Sequence, residues 1–319
     1  MLPNTLILGC LLTTGGGEVT GEAGERPPVL IGHCPSEAYI NGVQVRGGGM
    51  AGDGWDGSGQ NATTLFFCIE NTTSDLGEMQ RTACKLALVT WTSYVQIHFI
   101  EVAAPNFNRS IDFRFATGNH CAIEGGECGD PDCPFDGPGG TIAHAGYPPG
   151  VSSECVDPML ETWAGNVHFD DDELFEFDDA GPGYSLWLVA THESGHALGL
   201  THDTGPGGPH IMAPTISQND GFFTPSQSHI QHIQSGYAAG VGSIRTLEDT
   251  GIWVDSSWGG AEGGIPEYPF DTVAEGVNGI PAFIDEMTIH VVAGSYPGPV
   301  TIGRPCFVTS EMCVASIGQ

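Results

Sequence analysis

The chain has 319 residues, and its 8 basic against 39 acidic side chains leave a formal charge of −31. So acidic a surface argues against nucleic acid and anionic membranes as partners, and fits divalent cations, a saline exterior or plain solubility equally well. The length allows two domains of ordinary size, and ten cysteines with clustered spacing point to an oxidising compartment.

Residues 6–12 are apolar but too few to span a membrane, and they lack the basic flank of a signal peptide. Leu8-Gly9-Cys10 is similar to the end of a bacterial lipoprotein signal, which makes Cys10 a candidate lipid anchor; a truncated or misplaced start reads equally well. No transmembrane segment is expected elsewhere. Residues 13–60, rich in Gly, Pro and acidic groups, read as linker or irregular pro-segment, so 1–62 is set apart as a leader. Residues 64–69 predict a strand. Asp75 and Glu78 resemble a capping box, and Met79, Ala83 and Leu86 at helical spacing predict an amphipathic helix to about Tyr94. Strands follow near 96–101 and 111–115, then a helix over 185–198. Thr224-Pro225, an N-cap before proline at the first helical position, opens a last helix with Ile230 and Ile233 inward. Cys68 and Cys84 are placed to staple strand to helix. Further disulfides are expected within Cys121, Cys128, Cys133 and Cys155, and between Cys306 and Cys313, with connectivity open.

The helix over 185–198 carries the chemistry. His192 and His196 are spaced i, i+4, so both imidazoles project from one helix face, roughly one 5.4 Å turn apart. That separation suits two nitrogens about 2.0–2.1 Å from one Zn²⁺. Glu193 follows the first ligand, where it can reach water without ligating the metal. Gly199 lets the chain leave the helix, and His202 returns as third ligand, leaving a fourth position open as catalytic zinc sites do. Chance predicts on the order of 10⁻⁴ such complete matches in a chain this size, so coincidence is set aside.

Residues 192–202 resemble the metzincin zinc-protease signature, and Met212 in Ile211-Met212-Ala213-Pro214 is the candidate for that group's methionine turn. Residues 134–145 and 168–173 are similar to two motifs of the matrixins, the matrix-metalloproteinase-like branch, and the three motifs occur in the family's order. The resemblance implies an α+β metzincin domain over 63–240, a twisted mixed sheet with an active-site helix and a C-terminal helix. It implies a structural zinc on His120, His144 and His168. It also implies a calcium held by the carboxylates of Asp136, Asp170 and Glu173 and the carbonyls of Gly137, Gly139 and Thr141. Where the family has an Asp two residues after the first structural-zinc His, this chain has Ala122. The fourth ligand is therefore sought in the insertion 121–133, with Asp130 preferred over Asp132. Asp203 stands where matrixins usually carry Ser, as in the adamalysin-like branch, and the spacing from His202 to Met212 is longer than usual. The family's Pro-Arg-Cys-Gly activation switch has no match here.

By the same resemblance Glu193 is the general base of peptide hydrolysis, an extended polypeptide is the substrate, residues 140–143 pair with it, and 214–216 wall the pocket beyond the scissile bond. From Val241 the pattern changes. Residues 252–255, 269–277 and 288–296 resemble the opening of right-handed parallel β-helix domains, with strand-like pieces at 300–302, 306–308 and 314–317. Residues 241–319 are read as a small β-rich accessory region. The expectation is a monomeric, secreted or surface-tethered zinc and calcium endopeptidase. Its rival is an extracellular adhesin or binding protein whose protease domain is inactive or processes only its own chain.

Overall fold

The computed structural model describes residues 29–30, 38–40, 43–44, 48–72, 75–105, 107–118, 120, 135–153, 164–177, 182–203, 210–218, 220, 223–281 and 287–318. Three short strands lead in, β1 (Val29–Leu30), β2 (Ala38–Ile40) and β3 (Val43–Gln44), so the stretch expected to be irregular takes part in strand pairing. Then come β4 (Thr63–Ile69), α1 (Glu78–Thr92), β5 (Ile97–Glu101), β6 (Ser110–Ala116), β7 (Ala143–Ala145), β8 (Ser152–Ser153) and β9 (Val167–Asp170). β10 (Phe175–Glu176) and β11 (Tyr184–Ser185) precede α2 (Leu186–Ala197), β12 (Thr215–Ile216) and α3 (Gln227–Gly236). The remainder is β13 (Ser243–Arg245), α4 (Leu247–Thr250), β14 (Ile252–Val254), α5 (Val273–Asn278), β15 (Met287–Tyr296) and β16 (Cys306–Ile317).

The central sheet has the order β13-β5-β4-β6-β9-β7, parallel except for β7, which runs antiparallel to β9 at the edge. This is the expected mixed sheet. Alternation along β4 divides two cores: Leu65, Phe67 and Ile69 face the helices α1 and α2, while Phe66 and Cys68 face the C-terminal region. That alternation overturns the Cys68–Cys84 staple. Cys84 belongs to the helix-side core and Cys68 to the opposite one, and both are buried free thiols. Burial pushes the Cys84 thiol up to about 12.

Two expected caps move. α1 begins after Gly77, whose φ of 53° suits glycine, so the N-cap is Gly77 and not the expected Asp75. α3 is capped by Ser226, with His229 completing the box, two residues beyond the Thr224 expected.

β13 lies past residue 240 yet joins the central sheet beside β5. The joint is polar and buried: Glu101 accepts from Arg81 and Lys85 and from the Leu247 N–H at 3.0 Å. Beyond it β14, β15 and β16 form a parallel three-stranded sheet, with Ile252 level with Ile289 and Ile289 level with Val308. Residues 300–302, read as strand-like, lie outside any strand. Cys306 is a free thiol. Cys306 and Cys313 both lie in β16, and seven extended residues span roughly 23 Å, far beyond disulfide reach. The expected disulfides among Cys121, Cys128, Cys133 and Cys155 fall outside the described residues, as does Cys10. Among the described residues no helix is long and apolar enough to cross a membrane.

Candidate metal centres

α2 opens at Ser185, whose hydroxyl accepts the Leu188 N–H at 3.3 Å. Apart from Trp187, its residues are buried on all sides, and indole N–H groups hold it in place: Trp91 donates to the Thr191 carbonyl and Trp55 to the Ala197 carbonyl, each at 2.9 Å. On this rod the His192 and His196 rings meet edge to face, their centroids 4.6 Å apart. Gly199, at φ 104°, turns the chain back, and a Cβ there would lie 2.9 Å from the Met50 methyl. His202 then closes the triad, its Nε2 3.2 Å from that of His192.

That separation is informative. Two ligands about 2.05 Å from a tetrahedral zinc lie about 3.3 Å apart, so the imidazoles are spaced as a shared cation requires. The Nδ1 atoms of His192 and His196 donate to the carbonyls of Ile211 and Leu200, each at 2.6 Å, which leaves both Nε2 atoms as bases in the neutral rings. Burial, reinforced by the neighbouring imidazoles, holds His192 well below its usual range, and burial takes His196 to about 4; both are neutral, the ligating form. Nε2 of His196 and both carboxylate oxygens of Glu193 are buried without a hydrogen-bond partner, and burial pushes the Glu193 carboxyl well up. Unpaired buried groups on and next to a triad of clustered imidazoles are what a cation and its water would satisfy. The donor set fits zinc.

Met212 lies fully buried beneath α2, and a Cβ at Gly195 would sit 2.7 Å from its sulfur. Sequence reasoning passed over Gly195. The available signal was glycine inside a helix, which costs about 1 kcal/mol against alanine and so calls for a packing reason. Two other contributors were also missed. Tyr147 packs edge-on to His196 at 5.6 Å, with its hydroxyl buried and unpaired; nothing local marked it. Residues 48–51, read as linker, lace against the exit loop. Ala51 donates to Gly199, Thr201 to Gly49 and Gly48 to His202, at 2.6, 3.0 and 3.0 Å.

A second triad lies on the sheet. His144 of β7 and His168 of β9 are directly opposed in the antiparallel register, and His120 follows β6. His120 Nε2 is 3.1 Å from His144 Nε2, which is 3.0 Å from His168 Nδ1. Burial, then His168 and His120, keeps His144 well below its ordinary value. Phe135 stacks on His120 at 4.3 Å, closing one side. Asp130, expected as fourth ligand, lies outside the described residues.

The calcium residues face one another across two loops. Gly137 and Gly139 take φ of 82° and 83°, so the 136–141 loop turns where other residues are strained. Thr141 N–H donates to Asp136 at 3.1 Å, Gly139 N–H to Glu173, and Asp172 N–H to Asp170 at 3.0 Å. Asp170 keeps one oxygen buried and unpaired; burial raises its carboxyl to about 6, with Asp172 and Asp136 adding repulsion. A hard cation is the partner such carboxylates lack. Asp136, Asp170 and Glu173 are nevertheless not among the side-chain groups drawn within 4.8 Å of one another.

The family model for matrixins matches residues 58–238, more than half of the chain and all three motifs. The chain belongs to the matrixins. It is 38% identical over 147 residues to karilysin of Tannerella forsythia, covering 46% of this chain and 27% of that protein. It is 33% identical over 177 residues to matrix metalloproteinase-20 of Homo sapiens, covering 54% of this chain and 31% of the relative. With human matrix metalloproteinase-16 it shares 35% over 183 residues, 54% and 26% of the two lengths. The chain thus spans about a quarter to a third of these relatives. In this matrixin β7 is the sheet's outer strand. Thr215 and Ile216, the expected pocket wall, pair antiparallel with Leu30 and Val29.

Proposed function

We propose that this matrixin is a zinc-dependent endopeptidase acting on extended polypeptides outside the cytoplasm. The observation that carries the reading is Glu193, a buried carboxylate with both oxygens unpaired beside three converging imidazoles. His192, His196 and His202 would hold the metal. Zinc bound there supplies Lewis acidity, making water easier to deprotonate and a peptide carbonyl easier to attack. Glu193 takes the proton from the attacking water and returns it to the leaving amine. The buried surroundings strengthen that proton affinity. Met212 and Gly195 set the height of α2 above the methionine turn, and the Ile211 carbonyl fixes the His192 tautomer.

The substrate would pair through main-chain hydrogen bonds with residues 140–143, the stretch that leads into the edge strand β7, with 214–216 lining the next pocket. His120, His144 and His168 would hold a structural zinc, with Asp130 the fourth ligand offered by the sequence. Asp136, Asp170 and Glu173, with the carbonyls of Gly137, Gly139 and Thr141, would hold calcium. Purified protein should cleave casein, and a zinc chelator should abolish the cleavage. Intact casein after incubation with the zinc-loaded chain would count for the rival in which the domain is silent or acts only on its own chain.

A further inference from the structure

A third set of metal-ligating side chains converges beside the first triad. Asp203, His210 and His229 each offer one ligand atom, all within 4.8 Å of one another. They come from three places. Asp203 directly follows His202; His210 opens the turn whose next residue, Ile211, holds the His192 tautomer; and His229 sits in the first turn of α3. In sequence, Asp203 and His210 are the two ends of the spacer that lengthens the step from His202 to Met212.

Each member is held in position. The Asp203 N–H donates to the Met212 carbonyl at 2.9 Å, and its carboxyl lies against Gly48, where a Cβ would sit 3.1 Å from Cγ. Ser226 caps α3 by accepting the His229 N–H at 3.3 Å. The His210 carbonyl accepts from Ala213 at 2.9 Å. One nitrogen of each ring is left without a partner. Nε2 of His229 is buried, 3.4 Å from Oδ2 of Asp203, and makes no hydrogen bond; Nδ1 of His210 is also buried without a partner. A charge-assisted hydrogen bond closes to about 2.7–2.9 Å, so an Asp–His pair alone leaves this contact long and His210 unexplained. A buried unpaired polar group is costly, and two in one cluster with a carboxylate call for an ion.

We propose that Asp203, His210 and His229 form a third metal site, which takes zinc or a similar borderline divalent cation. Two imidazoles and a carboxylate suit such a cation, and the partial exposure of Asp203 and His210 leaves water the fourth position. Ligation through Nε2 puts the His229 proton on Nδ1, so the 3.3 Å contact from the Ser226 N–H to Nδ1 is given up. Ser226 is exposed, and water replaces that acceptor. The site would then hold the residue after His202, and with it the third ligand of the first triad, against a helix from another part of the chain.

The test uses the full chain with zinc in slight excess. Anomalous diffraction at the zinc edge should give a peak between Asp203, His210 and His229, separate from the peaks at the two histidine triads. In solution, His210→Ala/His229→Gln should lose about one zinc equivalent against wild type. Peaks at the triads with none here, or a folded double variant with unchanged zinc content, overturn the proposal. A peak here with none at His192, His196 and His202 would instead sustain this site and remove the proposed catalytic centre. If the double variant fails to fold, the wild-type anomalous map decides.

Discussion

The two histidine triads reach the same ligand spacing by opposite routes. His192, His196 and His202 come from one run of eleven residues, and helix pitch plus one glycine turn brings them together. His120, His144 and His168 come from three separate segments, and only the antiparallel register of β7 with β9 sets His144 opposite His168. The first centre is therefore a property of local geometry, while the second is a property of the sheet. They differ also in what stands beside them. Two unpaired Glu193 oxygens face the first triad, whereas Phe135 covers the second with an apolar ring. That difference is what the proposed roles require, reaction at the first triad and strand-holding at the second.

Four variants test that contrast. Glu193→Ala should lower kcat/KM for a peptide substrate by about 10²–10⁴-fold, with zinc content unchanged by elemental analysis. Activity within threefold of wild type would remove the base from the first centre and erase the distinction. Next in size, His144→Ala/His168→Ala should lose about one zinc and lower the melting temperature while leaving the first zinc bound. Linkage to a ligand at one hundred times its Kd is worth about 2.7 kcal/mol, so an unchanged melting curve would deny the second centre its structural role. Gly195→Ala puts a methyl group 2.7 Å from the Met212 sulfur. Overpacking of this kind costs about 1–3 kcal/mol, and denaturant unfolding should show it together with weaker zinc retention. Ser185→Ala, the smallest step, removes the α2 cap and should cost about 1 kcal/mol with activity per folded molecule intact.

Most of the first centre was legible because its ligands, turn glycine and methionine turn lie within a short stretch and follow helix periodicity. The strands β4, β5 and β6 and the helices α1 and α2 were legible for the same reason: alternation or 3.6-residue spacing within one segment. The end signals fared worse. Thr224-Pro225 is an acceptable helix start, but Ser226 lies where the chain can fold its hydroxyl onto the His229 N–H, and that contact decided the cap. Asp75 sits too far ahead of the first turn of α1, and glycine geometry took over.

The sequence by itself determined the family, the elements β4, β5, β6, α1, α2 and α3, and the first histidine triad, since each depends on residue type and short-range spacing. Only the tertiary structure decided which face Cys68 occupies. A strand's alternation defines two faces without saying which one meets α1 and which one meets the C-terminal sheet. It alone also laced residues 48–51 along 199–202 and brought Asp203 and His210 to His229, because contacts between distant segments are set by sheet register and packing, which leave no periodic trace in the chain.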